Sequence, residues 1–291
     1  MAKDTAKMRL LNQKAATLIE ALPYIIKYSG KIIVIKFGGK AMVKHGLKKN
    51  VMADVALLKH VGINPVVVHG GGPEIDSAMK EAGLEPKFIN GLRITDRQTI
   101  EIVEDVFEII NLEICMLLKK IGGKPISLSG RDHRLILVKQ KNAELGFVGE
   151  IKKINTEILS SLIKVNYIPI ISPIGTDKDN NIYNINADTA ASAIAIALGA
   201  EKFTILTDVE GVIERGKLLP HLSIRKARKK IRNSVITKGM IPKVEACIEA
   251  VKHGCPKAHL INGTTKHSIL LEMFTDKGIG TEIVTNENSI R

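Results

Sequence analysis

Two short apolar runs that break into consecutive glycines constrain the fold of this chain more than any other feature. The first run, 32–37, ends in Gly38 and Gly39, and the second, 66–68, is followed closely by glycines 70–72. Short, fully apolar and largely β-branched runs bounded by turn residues are typical of buried parallel strands. Glycine after such a strand lets the backbone approach a ligand and direct its N–H groups at an anion. With a lysine on the first strand, the two loops predict a site where two anionic groups meet.

The glycine pattern excludes two common phosphate-binding motifs. No segment fits the Walker pattern G-x-x-x-x-G-K-[ST], and no G-x-G-x-x-G dinucleotide fingerprint follows a strand, because Pro73 comes directly after the second glycine run. Residues 73–82 are predicted to be helical, with the proline in the first turn, where it is tolerated. The second glycine run then lies at a helix N-terminus, where the helix dipole and free N–H groups favour negative charge.

Composition favours a cytoplasmic α/β protein with an aliphatic core. The chain has 291 residues, of which 45% are hydrophobic but only 3% aromatic, and it contains no Trp. Its apolar stretches are far shorter than the ~20 residues that span a membrane, and no signal-peptide pattern opens the chain. The three cysteines form no C-x-x-C pair and no Cys/His cluster. We therefore expect reduced, structural thiols and no transition-metal site.

The net charge of +13 raises the question of a nucleic-acid partner. Its densest part is the basic segment 225–232, which is predicted to be a helix. No recognition motif, zinc pattern or aromatic stacking platform accompanies this segment. We interpret it as a solvated face, expect no nucleic-acid or membrane partner, and attribute to the positive charge a role in attracting anionic substrates.

Hydrophobic periodicity predicts alternating strands and helices from residue 31 onward, after an amphipathic helix at 8–26. The predicted fold is a three-layer α/β/α sandwich with a mainly parallel central sheet shared by two lobes. We divide the chain into an N-terminal helix (1–29), a first lobe (30–199) and a second lobe (200–291). Segments 125–128, 135–138 and 146–149 predict a hairpin region. Further strands are predicted at 32–37, 65–68, 168–171, 203–206 and 258–261, and further helices at 48–61, 73–82, within 96–121, and at 156–166, 187–198, 225–232, 243–253 and 266–274.

Four polar segments complete the pattern. They are Asn-Gly-Leu-Arg-Ile-Thr at 90–95, Asn-Ile-Asn-Ala-Asp at 184–188, Thr-Asp-Val-Glu-Gly-Val at 207–212 and Lys-Gly-Met-Ile-Pro-Lys at 238–243. Taken alone, each segment can be explained without a function, because Asn and Asp favour turns and helix caps and surface lysines are usually solvated. Their occurrence together with two glycine loops favours a functional site.

This combination resembles the amino-acid kinase family, from about residue 31 to residue 284, and within it the enzymes that act on N-acetyl-L-glutamate. The segments at 90–95 and 184–188 are the ones more particular to that branch. The resemblance implies the amino-acid kinase fold and transfer of the ATP γ-phosphoryl group to the side-chain carboxylate of N-acetylglutamate, the second step of arginine biosynthesis. A carboxylate of pKa ~4.3 is already ionised at neutral pH and needs no general base. The reaction needs two repelling anions to be positioned and their charge to be neutralised.

The resemblance also implies a role for each candidate residue. Mg²⁺ is expected with ATP, carried by its phosphates rather than by a dedicated metal site of the protein. The Arg93 guanidinium is expected to hold the substrate α-carboxylate as a fork. The implied catalytic residues are Lys36, Lys243 and Asp188, which fixes both lysines; the substrate-binding residues are Gly71, Gly72, Arg93 and Asn184; and the nucleotide-binding residues are Gly38, Gly39, Thr207, Asp208, Gly211, Lys238 and Met240.

Two alternatives to this activity stay open at this stage. The first is a kinase of the same fold that acts on aspartate, glutamate, carbamate or UMP. The second is a non-catalytic, arginine-sensing protein on this fold, although the presence of Lys36, Asp188 and Lys243 argues against it.

The N-terminal helix resembles the extension of the arginine-controlled members of the family. Its apolar positions, such as Met8, Leu11, Leu18 and Leu22, recur at spacings of three and four, which is typical of a packing seam. The resemblance implies a homohexamer, a trimer of dimers, inhibited by L-arginine; the plain alternative is a docking helix followed much later by an ordinary C-terminal helix. The expected arginine-binding residues are Tyr24, His267, Glu272 and Gly278.

Overall fold

The computed structural model describes residues 2–39, 42, 45–276 and 278–286. Lys40 of the first glycine motif and Lys277 of the predicted arginine-binding segment lie outside the described residues. In chain order, the helices are α1 (Ala2–Tyr28), α2 (His45–His60), α3 (Gly72–Glu81), α4 (Arg97–Lys120), α5 (Glu157–Lys164), α6 (Ala187–Ala197), α7 (Ile224–Arg232), α8 (Met240–Lys252) and α9 (Ser268–Met273). The strands are β1 (Ile32–Phe37), β2 (Asn64–His69), β3 (Phe88–Ile89), β4 (Leu92–Arg93), β5 (Pro125–Ser129), β6 (Ile136–Gln140), β7 (Gly149–Ile154), β8 (Ile168–Ser172), β9 (Ile174–Thr176), β10 (Ile182–Asn184), β11 (Lys202–Thr207), β12 (Ile213–Glu214), β13 (Lys217–Leu218), β14 (His221–Ser223), β15 (Lys257–Asn262) and β16 (Thr281–Val284).

Within the described residues, eight strands form a central sheet in the order β14-β16-β15-β11-β1-β2-β8-β5. Every neighbouring pair is parallel except β15 and β16. Two apolar clusters cover its faces, one including residues of α6 and α8 and the other residues of α2, α4 and α9. The predicted three-layer sandwich with a mainly parallel sheet is therefore confirmed. The sheet is continuous across the two predicted lobes, whose boundary at residue 200 stays a prediction.

The predicted hairpin region is only partly correct. Strand β5 is not part of it, because it pairs in parallel with β8 at the edge of the central sheet. The hairpin joins β6 to β7, and β7 was not predicted because lysines and glutamate interrupt its apolar pattern. With β9 and β10, also unpredicted, this hairpin forms a second sheet of four described strands beside the first.

The position of Lys36 in β1 determines on which face of the central sheet its side chain lies. Along β1, Ile33, Ile35 and Phe37 belong to one apolar cluster and Val34 to the other. Because side chains alternate across a sheet, Lys36 shares the face of Val34, the face that α6 covers. The C-terminal ends of β1 and β2 thus place both glycine loops at the N-terminal end of α6, which is the usual location of ligands in parallel α/β sheets.

Helix α1 is longer than predicted and packs on the sheet layers only through its last turns. Tyr28 is buried and Tyr24 and Ile25 are partly buried, whereas Leu18 and Ile19 are 73% and 69% exposed. Its apolar seam is therefore largely uncovered in the single chain. Among the described helices, none combines the length and the apolar character that crossing a membrane requires.

Candidate active site

A buried carboxylate between two lysines lies at the centre of the site. Lys36 Nζ is 3.1 Å from Asp188 Oδ1, and Lys243 Nζ is 2.9 Å from Asp188 Oδ2. The side chains of Lys36 and Asp188 are only 8% and 6% exposed, whereas that of Lys243 is 22% exposed. The predicted grouping of these three residues is present in the structure, and it combines β1, α6 and α8.

Local structure explains why the carboxylate is found there. Asn186 caps α6 by accepting hydrogen bonds from the backbone N–H groups of Asp188 and Thr189. This cap fixes the first turn of the helix, where a negative side chain is favoured by the helix dipole. Burial alone would raise the pKa of Asp188, but the two lysines hold it below its usual value, so the carboxylate stays ionised. Burial lowers the pKa of Lys36, and Asp188 opposes that shift.

The two glycine loops lie against this triad. A Cβ at Gly38 would be 2.6 Å from Lys36 Nζ, and a Cβ at Gly71 would be 2.8 Å from Ile110 Cδ1, so a side chain at Gly38 would displace the lysine and one at Gly71 would displace Ile110. The Gly70 N–H donates to the carbonyl oxygen of Phe37 at 2.8 Å and ties the second loop to the first. Both loops therefore bring backbone, rather than side chains, close to the lysines.

His69 supports the second loop from behind. Its ring is fully buried, with Nδ1 2.7 Å from the Gly70 carbonyl oxygen and Nε2 3.0 Å from Asn111 Oδ1. Burial lowers the pKa of His69 to about 4, so the ring is neutral at pH 7. Among the described residues, His69 is not part of the lining of the cavity in front of the triad.

That cavity, of about 280 Å³, brings most of the predicted catalytic and substrate-binding residues together. It is open to solvent on one side and combines charged groups with apolar walls from Ile75, Phe88 and Val148. Asn184 lies at the end of β10, and its amide donates to Thr95 Oγ1 at 3.3 Å. The predicted site residues that line it are Lys36, Gly39, Gly71, Gly72, Arg93, Asn184, Asp188 and Lys243.

Arg93 lies in strand β4, because residues 88–93 fold into a short hairpin. Its side chain is only 7% exposed. It pairs with Asp76 at 2.7 Å and donates to the Gly72 carbonyl oxygen at 3.3 Å. The sequence did not identify Asp76, since a carboxylate on an amphipathic helix is ordinarily a solvated residue.

The predicted nucleotide-binding residues other than Gly39 do not line this cavity within the described part of the chain. Gly38 directly follows β1. The others lie at the C-terminal end of β11 or after it, or just before α8 or at its start. Thr207 ends β11, and its carbonyl oxygen accepts a hydrogen bond from Gly263 N–H at 2.8 Å. Lys238 has a positive φ of 45° in the turn before Met240, the first residue of α8. Asp208 is exposed, and Gly211, with φ of 145°, packs against Thr281.

A second cavity, of about 340 Å³, lies between α1, α9 and the strands β15 and β16. It is lined by Tyr24, Glu272 and Gly278, as predicted. His267 is not in its lining within the described residues; its Nδ1 is instead 2.6 Å from Asp54 Oδ1 on α2. Two other histidines, His221 on β14 and His259 on β15, line the cavity.

A buried ionic network forms one wall of this second cavity. Glu272 Oε1 is 2.8 Å from Lys202 Nζ and 2.9 Å from His259 Nε2, and Glu282 Oε1 is 2.6 Å from Lys257 Nζ. Burial alone would raise the pKa of Glu272, but His259 and Lys202 lower it to about 2. Charged residues inside three otherwise apolar strands, β11, β15 and β16, are the sequence signal that could have revealed this network.

Comparison with known proteins identifies the family. The model of the amino acid kinase family matches residues 31–262. The chain belongs to the amino acid kinase family. Within that family, acetylglutamate kinases from Desulforamulus reducens and Caldanaerobacter subterraneus are each 50% identical to it, over 282 and 277 residues. These matches cover 94% and 93% of this chain, and 98% and 93% of those kinases.

A solved structure shares the amino acid kinase fold. The N-acetylglutamate synthase of Neisseria gonorrhoeae, complexed with coenzyme A and N-acetyl-glutamate, superposes with a TM-score of 0.85 at 24% identity. The match covers 94% of this chain and 63% of the longer synthase chain. At this identity the likeness shows a common fold.

Because of the ionic network, we expect the stability difference between wild type and a Glu272 variant to depend on pH. A carboxylate with a depressed pKa stabilises the folded chain above its ordinary pKa, 4.5 for Glu272, and this contribution is lost as the pH falls towards about 2. Urea unfolding should therefore show that the free-energy difference between wild type and Glu272→Gln shrinks from about pH 7 to about pH 3.5. The exposed Glu157 provides the control, since Glu157→Gln removes a carboxylate outside the network and should change the free energy of unfolding only slightly. A constant difference for Glu272→Gln would contradict the role of the network.

Proposed function

We propose that this chain transfers the γ-phosphoryl group of ATP to the side-chain carboxylate of N-acetyl-L-glutamate, the second step of arginine biosynthesis. The observation that carries the proposal is the triad of Lys36, Asp188 and Lys243 in a cavity formed by two glycine loops. Its support from the comparisons is the 50% identity to acetylglutamate kinases over almost the whole chain.

The geometry suits phosphoryl transfer between two anions. An ionised carboxylate is the nucleophile, so no proton has to be removed, and the remaining requirement is to bring it in line with the phosphoryl group. Lys36 and Lys243 supply positive charge from two sides, and Asp188 keeps both ammonium groups in place before the substrates arrive. Such a preorganised arrangement stabilises the charge of the transferring group without reorganisation during the reaction. The backbone N–H groups of Gly38, Gly39 and Gly71 are the proposed additional donors.

The other end of the cavity suits a small N-acylated dicarboxylate. Arg93 provides a positive charge for the α-carboxylate, and Asn184 and Gly72 provide polar contacts beside it. The apolar walls leave room for the acetyl group. A cavity of about 280 Å³ fits this acceptor, with ATP entering from the open side.

The proposed nucleotide site is formed by the loops at 207–211 and 238–240, which flank the triad on the side of β11 and α8. Within the described residues, no group of three or more His, Cys, Asp or Glu side chains could hold a metal ion. We accordingly propose that Mg²⁺ enters with ATP, bound to the phosphates, where it would neutralise part of their charge.

An ADP-release assay with several acceptors tests the proposed activity. N-acetyl-L-glutamate should support ATP turnover far better than aspartate, glutamate, carbamate or UMP. Turnover with one of these alternatives instead would reassign the substrate. Absence of turnover with every acceptor would favour the alternative of a non-catalytic, arginine-sensing protein.

Replacing either lysine tests the charge-neutralising role. Lys36→Ala or Lys243→Ala should lower kcat by about 10²–10³-fold, because these groups act mainly on the transition state. KM for N-acetylglutamate should change much less. Lys252→Ala, at the exposed end of α8, is the matched control and should have normal kcat. A normal kcat in either active-site variant would remove that lysine from the mechanism.

We further propose that L-arginine inhibits the enzyme from the second cavity and that α1 joins three dimers into a hexamer. The exposed apolar seam of α1 supports assembly, because Leu18 and Ile19 are uncovered in the single chain. The cavity supports binding of a cationic amino acid, because Glu272, Asp276 and Glu282 line it. Tyr24 Oη donates to Asp276 Oδ1 at 2.5 Å, so the end of α1 forms part of the cavity itself. A ligand there would act by favouring the state in which it binds better.

Deleting residues 1–27 tests both parts of this proposal. The truncated protein should form active dimers that L-arginine does not inhibit, as measured by light scattering and by ADP release. Glu272→Gln separates the two parts, because it should remain hexameric while losing sensitivity to arginine. A truncated protein that stays hexameric would contradict the role of α1, and a full-length enzyme that ignores millimolar arginine would contradict the inhibition.

A further inference from the structure

We propose that Asp76 is a positioning residue that fixes the guanidinium of Arg93 for the carboxylate of the substrate. This rests on the substrate-binding role proposed for Arg93 and deepens it, because it identifies what sets the direction of that side chain. Asp76 itself is not part of the cavity lining within the described residues.

The guanidinium lies along one face of helix α3. Gly72, Asp76 and Met79 are spaced as i, i+4 and i+7, which places them on a single face of the helix. Arg93 Nη2 is 2.7 Å from Asp76 Oδ1 and 3.3 Å from the Gly72 carbonyl oxygen, and Nη1 is 3.2 Å from Met79 Sδ. From the opposite side, Phe88, which pairs with Arg93 across the hairpin, has its ring centroid 4.9 Å from Arg93 Cζ.

Among these contacts, the one with Asp76 is the strongest. It is the shortest, and of the three polar contacts of the guanidinium it is the one that joins two opposite charges. The contact with Gly72 is longer than an ordinary hydrogen bond, and a thioether sulfur is a weak acceptor. A charged side chain that is only 7% exposed is costly to bury without a counter-charge, and Asp76 supplies it.

The contacts leave one side of the guanidinium available. Two of them are made by Nη2 and one by Nη1. The Nε–H and the second Nη1 hydrogen have no partner among the described residues. Because Arg93 lines the cavity while Asp76 does not, Asp76 holds the group from outside and leaves the cavity side to an anionic ligand.

A double-mutant cycle tests the proposal. Asp76→Ala should raise KM for N-acetylglutamate about tenfold, with kcat and the KM for ATP changed by no more than about twofold. In the Arg93→Ala background, Asp76→Ala should have no further effect on KM, because Asp76 acts through Arg93. Asp76→Asn keeps the acceptor oxygen and should restore KM part of the way. Glu81→Ala, further along α3, is the control and should leave all three constants unchanged.

Other outcomes of this cycle would contradict either the role of Asp76 or the role of Arg93. If the substrate instead displaced Asp76 from Nη2, Asp76→Ala would lower KM, and the positioning role would be wrong. Additive effects of Asp76→Ala and Arg93→Ala, or an equal rise of both KM values, would show a general structural effect. If Arg93→Ala alone left KM unchanged, the proposed substrate-binding role of Arg93 would fail, independently of Asp76.

Discussion

The ion pairs of one carboxylate, Asp188, with two lysines are the interaction on which the rest of the site depends. Burying charged groups is costly unless each is paired, and here a single carboxylate pairs with both Lys36 and Lys243. The three groups together keep a net positive charge, which suits an anionic ligand. The pairing also determines which elements must meet. Strand β1 contributes one lysine, the first turn of α6 the carboxylate, and the first turn of α8 the second lysine. The parallel sheet provides this meeting point at its C-terminal edge.

Two other ligand-accessible charged groups are also buried in ion pairs. Arg93 is buried against Asp76, and Glu272 is buried against Lys202 and His259. In each case a group that could bind an anionic or cationic ligand is fixed beforehand by opposite charge within the protein. Preorganisation of this kind reduces the ordering that a ligand would otherwise have to impose.

The two cavities also have a structural connection. Helix α2, which follows the first glycine loop, carries the buried Asp54, whose carboxylate is 2.6 Å from His267 Nδ1. His267 immediately precedes α9, the helix that carries Glu272 into the second cavity. The helix after the first glycine loop is thus in direct contact with the residue that precedes the helix of the proposed inhibitor site.

The sequence predicted the parts of this structure that depend on local pattern. The strands β1 and β2 were placed within one residue of their bounds, because fully apolar β-branched runs and following glycines mark buried parallel strands. Strand pairing was harder to predict, because the sequence of an apolar strand such as β5 does not indicate which strand it pairs with. The grouping of Lys36, Asp188 and Lys243 came from family resemblance, as residues 207 positions apart share no local signal.

Side-chain contacts between residues far apart in the chain could not be predicted from the sequence, because they depend on how distant elements pack together. In the sequence, Asp76 looks like any solvated helix carboxylate, and only the folded hairpin shows that Arg93 contacts it. His267 and His259 are equally plausible as sequence positions, and only strand register and the left-handed turn at His267 decide which one faces the second cavity.

A crystal structure of the complex with N-acetyl-L-glutamate and a non-hydrolysable ATP analogue tests the central claim most directly. The account predicts that Lys36 Nζ and Lys243 Nζ both contact the γ-phosphate while each remains within hydrogen-bond distance of Asp188. A complex in which either lysine is directed away from the γ-phosphate, or has separated from Asp188, would contradict it.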